Sequence, residues 1–259
     1  MAMSSNAAPH VVEDCLGVLQ LLSDGTVLRS DFPVLPTEAF PDLPAVVLSA
    51  DYRLAPEHRL PATIDDGAAV LSWLRTAGVD PWLTESADFS QVFVSGEPAG
   101  ANIAHHLAVR LGSDGLAPVR VAGCILLTPF FGGAARLASE SRPPSGVFLM
   151  TEMSDQFCRL SLPEGADRDH SLANPFSAGS SSLEPVALPP VLVVAAGRDL
   201  LRDRVLGYAE RLKAIGKVVE LADFVGEEHG FFVLQPWGEA GTELIRVMRL
   251  FIHNGANAN

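Results

Sequence analysis

The chain has 259 residues, 48% of them hydrophobic, which is enough apolar material for one sizeable core; an α/β domain of this length is usually a single unit. Lysine and arginine number 18 against 31 aspartates and glutamates, a net charge of −13. Such a balance repels phosphate backbones and anionic lipid, so neither nucleic acid nor a membrane surface is an expected partner, and glycine (22) and proline (19) are too few for a fibrous or disordered chain.

The N-terminal MAMSSNAAPHVVEDC lacks the basic start and apolar stretch of a secretory signal. No apolar run approaches the roughly 20 residues that cross a bilayer. Three cysteines, Cys15, Cys124 and Cys158, form no C-x-x-C pair and are odd in number. Reduced thiols and a cytoplasmic location, also compatible with the nucleus, are therefore expected.

Residues 1–10 are small and polar and are expected to form a disordered tail. In GVLQLLSDGTVLRS, two apolar runs flank Ser23-Asp24-Gly25, which predicts a hairpin. DFPVLPTEAFPDLP carries four prolines and is expected as a loop. Short unbroken apolar runs follow at Ala45–Ala50, Gln91–Ser95, Gly123–Thr128, Val191–Ala196 and Val218–Ala222. Such runs suit strands buried on both faces of a parallel sheet. Helical stripes lie between them: Val70, Leu71, Leu74 and Ala77; Ile103, Leu107 and Leu111; Val205, Leu206, Ala209 and Leu212, with Gly216 as a stop. Asp65 and Asp66 suit a helix start, and Leu244, Val247, Met248 and Phe251 mark a C-terminal helix. Residues 132–186 break the alternation, with Phe148, Met150 and Phe157 among many serines, prolines and glycines. They read equally as a surface excursion or as a lid-like wall over a pocket. The chain as a whole, 1–259, is expected to be one α/β domain with a doubly wound, mostly parallel sheet and helices on both faces.

Chemistry concentrates at VFVSGEPAGANIAHHLAV. A strand, a glycine-bounded turn and a helix are the setting of the G-x-S-x-G nucleophile elbow, and here the five positions read Gly96-Glu97-Pro98-Ala99-Gly100. Taken alone, Asp199 after a strand reads as a helix N-cap, and His229 as a core or surface histidine. His105 and His106 are adjacent on a helix and point apart, so they read as packing and solvated positions. Glu227-Glu228-His229 lacks partners at metal-ligand spacing. Neither a metal nor a cofactor is expected.

On these motifs the chain resembles the plant carboxylesterase family, relatives of hormone-sensitive lipase and of the gibberellin receptor. That family's elbow reads Gly-Asp-Ser-Ala-Gly-Gly-Asn. Asp51-Tyr52-Arg53-Leu54-Ala55-Pro56-Glu57-His58, Gly197-Arg198-Asp199-Leu200-Leu201-Arg202-Asp203 and Glu228-His229-Gly230-Phe231 resemble three further family segments, in the family's order. The likeness runs from about Val11 to about Ile252. It implies an α/β-hydrolase fold, carboxylic ester hydrolysis, Asp199 as the triad acid and His229 as the base. It also implies that Pro98 stands where the nucleophilic serine belongs.

Proline has no hydroxyl, and its fixed φ near −65° is incompatible with the positive φ that the resemblance implies for an elbow nucleophile. It also pushes Glu97 out of helical angles and displaces the Ala99 N–H, half of the implied oxyanion hole. The family's His-Gly-Gly-Gly loop is absent, and Phe40-Pro41-Asp42 runs straight into Leu43-Pro44-Ala45. The sheet is therefore expected to lack one central strand. Ser95, Cys124 and Thr128 are poor substitutes for the serine. Three readings stay open: an impaired hydrolase; a non-catalytic binder of a small ester or hormone-like ligand; and a truncated gene product without function.

Overall fold

The computed structural model describes residues 8–30, 46–76, 80–112 and 116–257. The chain divides into two compact units, Met1–Pro44 and Ala45–Asn259.

The first unit holds an antiparallel meander of β1 (Val11–Cys15), β2 (Leu19–Leu22) and β3 (Val27–Arg29). The expected hairpin is its second half, with Leu21 opposite Val27. Gly25 takes φ 87°, a region open to glycine at little cost, and the Asp24 carboxylate accepts the Thr26 N–H at 3.0 Å. β1 was not anticipated; VVEDC is short and half acidic, too weak a pattern to read. The proline-rich stretch and residues 1–7 lie outside the described residues.

The second unit is built on four parallel strands, β4 (Val92–Gly96), β5 (Val121–Leu127), β6 (Val191–Ala196) and β7 (Val219–Phe224), which lie side by side in that order. Each coincides with an expected apolar run. The helices are α1 (Ala62–Leu74), α2 (Pro81–Ser86), α3 (Pro98–Leu111), α4 (Ala138–Ser141), α5 (Thr151–Ser161), α6 (Arg202–Ala214), α7 (Phe231–Leu234) and α8 (Glu239–Asn257). Alternate side chains of β5 and β6 enter two layers. Cys124, Leu126, Val193 and Ala195 pack against Ala104 and Ala108 of α3 and against Val205, Ala209 and Leu212 of α6. Ile125, Leu192, Val194 and Ala196 pack against Leu244 and Phe251 of α8. Helices thus cover both faces, as expected. α1 adds Ile64, Ala68 and Leu71 against Ile103 and Leu107 of α3. Gly67 permits that approach, since a Cβ there would meet Leu107 Cδ1 at 2.8 Å. α6 ends at Gly216, φ 77°, where Gly216 N–H reaches Lys213 O and Lys217 N–H reaches Leu212 O, both at 3.0 Å.

One expected strand does not form. Residues 46–50 have no regular structure, and Val47 and Leu48 are 83% and 42% exposed. Among the described residues no strand pairs with β4 on the side away from β5. An apolar run becomes a strand only when a neighbour satisfies its backbone, and this one lacks that neighbour.

Residues 132–186 are attached to the core at several points. Leu149 and Leu183 are buried with α3 and α6. The Glu140 carboxylate is buried and paired with Arg168 and, at 2.6 Å, with Arg204. Burial pushes its pKa up, but the hydrogen bond from Arg204, then those from Leu137 N–H and Arg168, hold it below the ordinary carboxylate value. Replacing Glu140 with alanine removes the carboxylate that Arg168 and Arg204 share, leaving Arg168 with Asp155 and Arg204 with the carbonyls of Gly132, Gly133 and Ala135. The expected loss is about 1–3 kcal/mol, measured by urea unfolding.

His105 and His106 correct a sequence expectation. Their rings do not diverge; they meet edge to face with centroids 4.9 Å apart. His105 is buried with Nδ1 2.8 Å from the Tyr208 hydroxyl, and His106 is partly buried with Nε2 3.1 Å from Leu172 O. Burial, and next the neighbouring His106, pushes the pKa of His105 well below its usual 6.5. The unfolded chain therefore takes up a proton that the folded chain refuses once the pH falls through the usual histidine value. Stability is expected to decline as pH drops below about 6.5, by at most ~1.4 kcal/mol per pH unit for this group, with a flatter profile in His105→Gln. Unfolding free energies between pH 7.5 and 5 check this.

Candidate active site

The strand-to-helix turn at the end of β4 is tight. A Cβ on Gly96 would lie 2.1 Å from the Gly100 carbonyl carbon, so strand end and first helical turn touch backbone to backbone. Glu97 is extended at φ −109°, ψ 159°, and Pro98 opens α3 as its first residue. That position suits proline, whose missing N–H would have no helical partner anyway. The expected effect on Glu97 is present. Positive φ among the described non-glycine residues occurs at Leu16 and Thr128, not at Pro98. The Pro98 carbonyl accepts the Phe130 N–H at 2.9 Å, which ties the turn to the chain after β5.

Asp199 and His229 come together although 30 residues separate them. His229 Nδ1 lies 2.8 Å from Asp199 Oδ2, and the two residues are 6% and 1% exposed. Asp199 follows β6 and His229 follows β7, so two neighbouring parallel strands deliver the pair to one end of the sheet. Gly197 is essential to that delivery, because a Cβ there would sit 2.0 Å from Val225 O. Arg198 N–H donates to Glu227 O at 2.8 Å, joining the two loops. Asp199 is not the N-cap of α6, which is Leu201; its Oδ1 instead accepts the Leu201 N–H at 2.8 Å. Residues 132–186 brace both loops: Glu228 Oε2 accepts the Phe148 N–H at 2.7 Å, and Arg198 donates to Ser145 O at 3.3 Å.

Glu97 escaped sequence reasoning. Burial raises its carboxyl pKa, with the charge of His229 opposing. Burial and then the charge of Glu97 raise the Tyr52 hydroxyl in turn. Thr128 was weighed only as a poor nucleophile. It is buried at φ 41°, a strained state for a β-branched residue, and its hydroxyl has no partner among the described residues. Ser95 is exposed on β4, and Cys124 is buried with its thiol pKa pushed up to about 12 by burial. None of the three is hydrogen-bonded to His229 among the contacts of the described residues. Beside the turn is a cavity of about 190 Å³ walled by Tyr52, Ala99, Ile103 and Phe130 among others; Asp199 and His229 take no part in its walls.

The family model of the α/β hydrolase fold matches residues 34–233. The chain belongs to the carboxylesterase-type α/β-hydrolase family. It is 42% identical over 191 residues to the gibberellin receptor GID1C of Arabidopsis thaliana, covering 73% of this chain and 54% of the receptor. It is 37% identical over 239 residues to carboxylesterase 20 of the same plant, covering 90% of this chain and 72% of that one. Among solved structures, the thermostable carboxylesterase EstE1 from a metagenomic library superposes with a TM-score of 0.67 at 29% identity, over 79% of this chain and 67% of that one. The chain spans about half the length of the receptors it matches.

In this α/β-hydrolase the paired imidazole and carboxylate can accept and hold a proton, provided that a donor lies within hydrogen-bond reach. Proline supplies no such donor. Asp199→Ala removes the partners of both His229 Nδ1 and the Leu201 N–H. The expected loss is about 2–4 kcal/mol by chemical unfolding, from one or two buried polar groups left unpaired. A change under about 0.5 kcal/mol would contradict the pairing.

Proposed function

We propose that this chain is a carboxylesterase-family hydrolase by descent whose own ester hydrolysis is near background. One observation carries the proposal: Pro98, with a hydrocarbon side chain, occupies the elbow position as the first residue of α3. In a working hydrolase of this logic, a serine hydroxyl attacks the ester carbonyl while histidine takes its proton. Water activated by the same histidine then releases the acid from the acyl-enzyme. Asp199 and His229 would fill the acid and base roles here, with nothing to activate at position 98. The absence of the His-Gly-Gly-Gly loop from the sequence weighs against a complete oxyanion hole as well.

A second reading, a non-catalytic binder of a small ester or hormone-like molecule, is favoured by the 42% identity to a protein named a gibberellin receptor. Melting temperatures measured across a panel of plant hormones and acyl esters separate the two, since a flat response speaks against binding.

A fluorophosphonate probe is expected to leave the protein unlabelled, and p-nitrophenyl acetate turnover is expected to match the buffer rate. Strong labelling mapped to any residue of the chain sinks the proposal. Pro98→Ser alone is expected to restore little, because triad and oxyanion donors act as a unit. Substantial turnover by that variant would show that the oxyanion donors are already in place.

A further inference from the structure

The loops that carry Asp199 and His229 are joined a second time, outside the pair itself. Arg198 immediately precedes Asp199, and Glu228 immediately precedes His229. Both reach one short connection, residues 142–150 between α4 and α5. Arg198 Nη2 donates to Ser145 O at 3.3 Å, and Glu228 Oε2 accepts the Phe148 N–H at 2.7 Å. Two loops from the ends of neighbouring strands thus grip the same segment, three residues apart.

The segment has little else to hold it. Leu149 is its buried residue, packed in the core cluster with Leu200 and Leu201, which follow Asp199 directly. Phe148 and Met150 on either side of it are exposed. Pro143 and Pro144 stiffen the entry, and Gly146 turns the chain at φ 70°. Attachment therefore rests on one leucine and two polar bonds close to solvent. Segments with so few buried contacts open locally at a small fraction of the cost of global unfolding.

Asp199 and His229 sit on loops at the end of the sheet, a place usually open to water, yet both are buried. We propose that residues 142–150 form a strap, latched by Arg198 and Glu228, that covers the Asp199–His229 pair when closed and opens it to small solutes when released. Arg198 and Glu228 are then positioning residues that act on the pair through the strap. The inference concerns access to His229, so it holds whether or not any ester is cleaved.

The reaction of His229 with diethylpyrocarbonate, mapped by peptide mass spectrometry on the whole chain, reads the opening. It is run at pH 8, where an ordinary imidazole is neutral, with the exposed His58 as internal control. Glu228→Ala is expected to speed modification of His229 about tenfold, the ratio that one net hydrogen bond gives, and to speed hydrogen exchange of the Phe148 amide alongside it. Glu228→Gln keeps an acceptor for the Phe148 N–H and is expected to stay within about twofold of the unsubstituted chain. Arg198→Ala is expected to act in the same direction as Glu228→Ala by a smaller factor, since its bond is longer. The strap-side test leaves both loops intact. Phe148→Pro removes the donor and is expected to match Glu228→Ala, whereas Phe148→Ala keeps the N–H and is expected to leave His229 protected. Amide exchange in β6 is expected to be unchanged in every variant. Unaltered reactivity of His229 in Glu228→Ala, a glutamine variant as reactive as the alanine one, or exchange that rises in β6 as much as at Phe148 would overturn the proposal.

Discussion

The second unit depends on β6 having no outside. Val191 to Ala196 are at most 2% exposed, with β5 on one edge and β7 on the other. Val191, Val193 and Ala195 face α3 and α6, while Leu192 and Val194 face α8. Each valine or leucine so enclosed contributes about 1.5–3 kcal/mol, and shifting the strand by one residue would exchange every side chain between layers. Register is therefore fixed here more firmly than anywhere else. The chain leaves this strand into a place where Gly197 already touches Val225 O, so Asp199 inherits the strand's precision. His229 inherits it from β7 through the same contacts. The Asp199–His229 pair is thus a product of sheet packing, assembled without reference to the elbow.

The elbow belongs to the opposite edge. Among the described residues β4 has one strand neighbour, its side chains are only partly buried, and the apolar run at 46–50 forms no strand. An edge with unsatisfied backbone groups is where a sheet is least constrained. Pro98 is the first residue of α3, a position that suits proline, and among the described non-glycine residues of the second unit positive φ falls at Thr128 beyond β5.

The sequence made the parallel strands legible because complete burial leaves an unbroken apolar run, and β4 to β7 all announced themselves this way. The same signal misled at Ala45–Ala50, since hydrophobicity reports burial preference and not the presence of a partner strand. The 132–186 segment was ambiguous for a related reason. Its attachment rests on Glu140 with Arg168 and Arg204, and charged residues brought together from distant positions leave no local pattern. Asp199 and His229 were legible through motifs, whereas Glu97 became visible only through the atoms around it.

The Asp199–His229 bond does not by itself speak for catalysis. A carboxylate that is 1% exposed must have its oxygens satisfied, and here Leu201 N–H and His229 Nδ1 do so. Take away Asp199 and His229 Nδ1 loses its partner; take away His229 and Asp199 Oδ2 loses its own, a cost that falls on folding whether or not any ester is ever cleaved. The pair therefore has a structural reason to exist in this packing. What distinguishes a hydrolase from a scaffold is the third position, where a proton donor must face the histidine. At the elbow stand Glu97, whose carboxyl pKa is raised by burial, and Pro98, whose side chain is a hydrocarbon ring. Chemistry at this site accordingly turns on residue 98, while the fold around it turns on β6.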